Sequence, residues 1–197
     1  MSPFEFGRFK ANLFWHVIDI AASFNKTSAK LYEKYIGKEY LKEKNSFIKT
    51  PTQHILHIGC GAYPITALTL ANGSQSKITA IDNNPFIAKI AKKVIQRKNH
   101  NPTSHNITIE QGDGANFPLN GFDTIIISGC SYPRGRVLDH VFKKASSNTN
   151  IIVRELDDEI TFSNTFVRKY NDVIQLDSIQ CHVVSNIHWK SSHFKKT

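Results

Sequence analysis

The sequence predicts an α/β fold: a mostly parallel β-sheet covered by helices on both faces and closed at one edge by an antiparallel hairpin. Three observations lead there. Beyond residue 53, short runs rich in Ile and Val alternate with amphipathic stretches of helical period, the pattern of strands buried on both faces. The first run, His54 to Ile58, enters a Gly-x-Gly turn, Gly59-Cys60-Gly61, and then a helical stretch. The last two runs, Val173 to Val184 and His188 to Lys195, are joined by a short turn with no helix between them, so they should pair antiparallel.

The elements follow in order. From Phe9 to Phe24, apolar residues recur at helical spacing: Phe9, Leu13, Trp15 to Val17, Ile20, Ala21 and Phe24. A second helix is expected from about Ser28 to Lys44, with Leu31, Tyr35, Ile36 and Leu41 on one side and Thr27 or Ser28 as its cap. Thr50-Pro51-Thr52 marks a boundary, which divides the chain into an N-terminal helical cap, 1–50, and a ligand-binding α/β domain, 51–197. Strands are expected at His54 to Ile58, Ile78 to Ile81, Ile107 to Gln111, Asp123 to Ser128 and Asn150 to Arg154. Helices are expected at Thr66 to Ala71, Pro85 to Lys98 and Arg136 to Ser146.

Composition excludes several classes. At 197 residues, 40% hydrophobic and 21% charged, the chain can bury a proper core. The formal net charge of +9 favours anionic partners, but the basic residues are dispersed, with no block of five or more. Three well-separated cysteines, Cys60, Cys130 and Cys181, argue for a reducing compartment and against a disulfide framework. Nine histidines include no pair at the spacing of a helical metal site, so no metal is expected. The apolar run Ala11 to Ala22 is too short to span a bilayer and is interrupted by His16 and Asp19, which also argues against a signal peptide. The expectation is a cytoplasmic protein with no membrane partner.

The glycine turn has a second part. About 20 residues past Gly61, the run Ile78 to Ile81 ends in Asp82. Glycines that let the backbone approach a ligand, a helix N-terminus aimed at it, and an acid positioned for ribose hydroxyls together point to an adenosine-containing cofactor. The alternative for Asp82 is an N-cap of the helix starting at Pro85, and the two roles are compatible.

Four signatures in series extend this reading: His57-Ile-Gly-Cys-Gly61, Ala80-Ile-Asp-Asn-Asn-Pro85, Gln111-Gly-Asp-Gly114 and Phe122-Asp-Thr-Ile-Ile-Ile-Ser128. In these the chain, from Gln53 onward, resembles the class I S-adenosylmethionine-dependent methyltransferase superfamily. The resemblance implies a three-layer, Rossmann-like, seven-stranded fold with S-adenosylmethionine as cofactor. It places Gly59, Cys60 and Gly61 against the methionine and ribose portions, Asp82 on the ribose hydroxyls and Asn83 beside the adenine. It also assigns Asp113, Gly114 and Ala115 to the adenine and Ser128 to the end of the fourth strand. Two positions depart from the pattern. Many members have an acid where His57 stands, which holds the cofactor's amino end indirectly, and a small residue where Tyr63 stands. The loop Gly59-Cys-Gly-Ala-Tyr-Pro-Ile-Thr66 is instead similar to that of nicotianamine synthases, which transfer the 3-amino-3-carboxypropyl group to an amine.

Either transfer is a displacement at a carbon attached to the sulfonium, so the protein chiefly aligns a nucleophile and excludes water. The resemblance favours methyl transfer to a small molecule, with aminocarboxypropyl transfer as the alternative. An RNA methyltransferase and a non-enzymatic binding protein rank lower. The loop after the fourth strand lacks the Asn-Pro-Pro-Tyr type of segment that holds a nucleobase amine. Candidates to contact the acceptor are Tyr35 and Tyr132, with Tyr32, Tyr40, Glu33 and Glu39 near the first and Arg134 or Arg136 as carboxylate clamps beside the second. Tyr32 and Tyr35 lie three apart on one helical face, and ordinary packing of that helix on the sheet edge accounts for them better than substrate contact does.

Overall fold

The computed structural model describes residues 3–48, 53–98, 105–155, 160–184 and 187–197. Its seven-stranded sheet has the order β3-β2-β1-β4-β5-β7-β6, with strands His54–Ile58 (β1), Lys77–Asp82 (β2), Ile107–Gln111 (β3), Thr124–Ile127 (β4), Asn150–Glu155 (β5), Val173–Val184 (β6) and Ile187–Lys196 (β7). The first five run parallel. Strand β7 is antiparallel to both β5 and β6, as the missing helix between the last two runs requires. The expected boundary at Thr50-Pro51-Thr52 lies outside the described residues.

Side-chain alternation sorts the core onto the two faces of the sheet. Leu56, Ile58, Ile125, Ile127, Ile151 and Val153 pack with Val137, Leu138, Val141 and Phe142 of helix Arg134–Lys144 (α6). Ile55, Ala80, Ile126 and Ile152 pack on the opposite face with Ala67 and Leu70 of Ile65–Ala71 (α4) and Ala88, Ala91 and Ile95 of Pro85–Arg97 (α5). Each Val, Leu, Ile or Phe side chain among these contributes about 1.5–3 kcal/mol by leaving water. Helix α5 begins where the sequence signals it. Pro85 occupies its first turn, and Asn84 Oδ1 accepts from the N–H groups of Phe86 and Ile87 at 2.9 and 3.5 Å.

The N-terminal helices, Pro3–Phe24 (α1), Lys26–Tyr32 (α2) and Lys38–Phe47 (α3), lie on the α4–α5 side of the sheet. The cap between the first two is Asn25 rather than Thr27 or Ser28. One residue separates the helices, and in its extended conformation the Asn25 side chain accepts from Thr27 and Ser28 N–H at 2.8 and 3.0 Å. A single wide turn of π-helix, Glu33–Gly37, joins α2 to α3. Trp15, Ile18, Ala22, Tyr32 and Ile36 then pack on Tyr63, Ile65 and Trp189. Helix Ile160–Val167 (α7) was not expected, because its β-branched and aromatic residues favour strands. Tertiary contacts fix it: Glu155 accepts from Ser163 N–H at 3.0 Å, and Phe166 and Val167 pack on the α6 side of the core. Among the described residues no helix is long and apolar enough to cross a membrane.

Candidate active site at the crossover of the sheet

Strand order reverses between β1 and β4, so the loops leaving their C-terminal ends diverge and open a crevice, the place where such sheets bind ligands. A cavity of about 330 Å³ lies there, walled by the ends of β1, β2, β4 and β5 and roofed by the N-terminal helices and Trp189.

The floor is made of backbone. Gly59 and Cys60 both donate to the Ile81 carbonyl at 2.9 Å, and Gly59 and Gly61 have φ of 80° and 69°, the left-handed region that glycine tolerates. A Cβ on Gly59 would lie 2.7 Å from Ser131 Oγ. Asp82 joins the first two loops: its Oδ2 accepts from Gly61 N–H at 3.1 Å and its Oδ1 from Asn84 N–H at 3.0 Å. The helix cap is therefore Asn84, which leaves Asp82 facing the cavity. Burial raises the Asp82 pKa, and the two N–H donors and nearby His16 offset part of that rise.

At the end of β4, Ser128 Oγ and His57 Nε2 are 2.8 Å apart. Burial, and then the charge of Arg154, push the His57 pKa well below its ordinary value, so the ring is neutral. Its Nδ1 is buried without a hydrogen-bond partner among the described residues. Arg154 is fully committed to holding the roof. It donates to both carboxylate oxygens of Glu43 at 2.9 and 2.7 Å and to Thr66 Oγ1 at 2.7 Å, and its guanidinium stacks 3.8 Å from the centre of the Tyr40 ring. Ser191 donates to the same Glu43 at 2.5 Å.

From α1, Asp19 reaches down onto the glycine turn. A Cβ on Gly61 would lie only 1.8 Å from Asp19 Oδ2, so the glycine keeps open the slot that this carboxylate occupies. Burial raises the Asp19 pKa to about 7. The Tyr32 hydroxyl and the Ala62 and Tyr63 N–H groups act against that rise, and Asp82 adds to it. Tyr63 anchors the roof from below: its hydroxyl donates to Glu33 at 2.5 Å, and Lys98 also donates to Glu33.

Gly59, Cys60, Gly61, Asp82, Asn83, Gly114, Ser128 and Tyr132 thus meet around one cavity. Asp113, Ala115 and Tyr35 do not reach its wall. Asp113 Oδ1 turns back to accept from Ala115 N–H at 2.9 Å, and Ala115 packs against the α6 side of the core. Tyr35 faces solvent because the helical turn that buries Tyr32 and Ile36 carries it outward, whereas Tyr32 and Tyr40 do line the cavity. Arg134 is buried and holds the strand ends, donating to the carbonyls of Ser128 and Arg154 at 3.2 and 2.6 Å, while Arg136 lines a separate hollow. Sequence reasoning missed Asp19, Glu43, Trp15 and Trp189. Only Asp19 left a signal, as an acid breaking an apolar run. Among the described residues no group of three or more His, Cys, Asp or Glu side chains is placed to hold a metal.

Comparison with known proteins agrees with this fold. A point mutant of MtNAS in complex with S-adenosylmethionine is similar over 95% of this chain and 75% of its own, at 16% identity and a TM-score of 0.74. The mitomycin 7-O-methyltransferase MmcR is similar over 100% of this chain and 69% of its own, at 10% identity and a TM-score of 0.65. The N-methyltransferase NodS from Bradyrhizobium japonicum WM9 is similar over 84% and 96%, at 17% identity and a TM-score of 0.61. No curated protein matches the sequence. The family described as "Methyltransferase domain" matches residues 49–191, and the chain therefore belongs to this family of S-adenosylmethionine-dependent transferases.

Proposed function

We propose that the protein transfers the methyl group of S-adenosylmethionine to a small-molecule acceptor bound beneath the N-terminal helices. The roofed cavity carries this reading. Its volume of about 330 Å³ is near the lower end of the range for small-ligand sites, and the Trp15, Tyr32, Tyr40 and Trp189 side chains take the place a macromolecular acceptor would need to enter. The residues fit the cofactor. The Asp82 carboxylate lies beside two left-handed glycines and faces the cavity.

In this reading Gly59, Cys60 and Gly61 receive the methionine and ribose portions, Asp82 the ribose hydroxyls, and Asn83 the adenine side. Gly114 presses on Ile58, where a Cβ would come within 2.3 Å of Cγ2, and shapes the adenine end. Asp113 and Ala115 contribute through the loop they brace. Ser128 orients His57. Residues 1–50 act as the cap that excludes water and positions the acceptor, with Tyr132 at the exposed rim. The sulfonium makes its substituents good electrophiles, and a base is required only for an acceptor that arrives protonated.

A second reading, aminocarboxypropyl transfer of the nicotianamine synthase type, is favoured by two observations. The likeness to MtNAS spans 95% of this chain, and the loop Gly59 to Thr66 has that branch's pattern. Mass analysis of the spent cofactor after turnover with candidate amine acceptors decides between them. S-adenosylhomocysteine supports methyl transfer, and methylthioadenosine supports aminocarboxypropyl transfer and overturns the first reading.

A further inference from the structure

The family resemblance places an acid where His57 stands, and a neutral imidazole cannot replace its charge. We infer that Asp19, carried on α1 outside the residues that match the family, supplies that charge and binds the ammonium group of the cofactor's methionine portion. The inference rests on S-adenosylmethionine being the ligand of the cavity.

The geometry isolates Asp19 for this role. Its carboxylate sits in the slot above Gly61, within the turn that receives the methionine portion. The groups that act on it are the Tyr32 hydroxyl, two backbone N–H groups and the Asp82 carboxylate, none of them a cation. Two neighbouring acids are matched to cations: Glu43, behind the wall, is paired with Arg154, and Glu155 lies 3.6 Å from Arg134. Asp82, like Asp19, accepts from backbone N–H groups, and it is placed on the ribose side of the turn. A cation placed beside Asp19 supplies the charge that its neutral donors do not.

Both departures from the family pattern then have one cause. Tyr63, in place of a small residue, ties the roof to the glycine turn through Glu33, and the roof brings the acid that His57 lacks.

The test is calorimetric titration of wild type and Asp19→Asn with four probes. S-adenosylmethionine, S-adenosylhomocysteine and decarboxylated S-adenosylmethionine all keep the amine, and 5′-methylthioadenosine lacks it. The expected result is a loss of about 10- to 100-fold for the three amine-bearing ligands in the variant, with methylthioadenosine changed by less than about twofold. An equal loss for all four, or no loss for any, overturns the assignment while leaving the cofactor reading intact. Failure of wild type to bind S-adenosylmethionine overturns both.

A measurement on wild type alone covers the case in which the variant does not fold. The ratio of S-adenosylmethionine to methylthioadenosine affinity should fall about tenfold as pH drops from 7.5 to 5.5, through the Asp19 pKa of about 7. The other titratable groups near Asp19 are Tyr32, Tyr40, Cys60, Asp82 and His16. The first three titrate far above this range. Asp82, on which His16 acts, is assigned to the ribose, which both ligands share, and His57 on the same wall is held well below its ordinary pKa by burial. A flat ratio overturns the assignment.

Discussion

The floor and the roof of the cavity are built by different physics. The floor, from β1 to the start of α5, is backbone held by backbone: left-handed glycines, N–H groups on Ile81, and one carboxylate accepting from two loop amides. The roof is side chain held by side chain, a buried Arg154–Glu43 pair stacked under Tyr40 and a carboxylate resting in the slot at Gly61. A floor of this kind tolerates change outside a few short motifs. The roof depends on a charge pair taken out of water, Arg154 with Glu43.

Glu43→Ala breaks that match most severely. It leaves Arg154 buried and uncompensated and should cost about 3–5 kcal/mol in urea unfolding; a cost below about 1 kcal/mol would mean that water reaches the guanidinium. Gly61→Ala strikes a point where floor and roof touch. The new Cβ meets Asp19 Oδ2 and forces an alanine to φ of 69°, so the expected cost is about 3 kcal/mol, a fall in Tm of roughly 6–12 °C. Combining it with Asp19→Ala should recover the part due to collision and leave the backbone part.

Asp19→Asn sharpens the comparison through pH. The folded-state pKa is raised from 3.8 to about 7, so Asp19 favours the fold below about pH 4 and that contribution is lost as pH rises through 7. The full shift is worth about 4 kcal/mol, which solvent screening of this partly exposed side chain reduces to about 2. Without ligand the variant should exceed wild type by about that amount above pH 7 and match it below pH 4. A constant difference across the range would assign the effect to packing. Tyr35→Ala, on the outer surface of the roof, should change stability by less than about 0.5 kcal/mol and leave cofactor affinity untouched, as calorimetry would show.

The same contrast explains what was legible in the sequence. Strands β1 and β3 and the hairpin lay where the apolar runs placed them, and Gly59, Gly61 and Asp82 converge as their spacing implies, because local turns and strand ends leave local signatures. The roof leaves none. Glu43 and Arg154 are 111 residues apart and meet only through the docking of α3 on β5 and β7, and Trp189 reads as an ordinary strand residue. Tyr35 was favoured over Tyr40 because a helical period carries no information about which face the sheet will cover. Asp19 was visible as an interruption of an apolar run, but only the fold shows that it faces Gly61.

The most direct test of the account is calorimetric titration of S-adenosylmethionine into wild type and Asp82→Ala. Wild type should bind, and the variant, which loses the carboxylate that joins the two loops and that we propose meets the ribose, should bind about 100-fold more weakly or not at all. Equal affinity for both would contradict the placement of the cofactor at the crossover of the sheet.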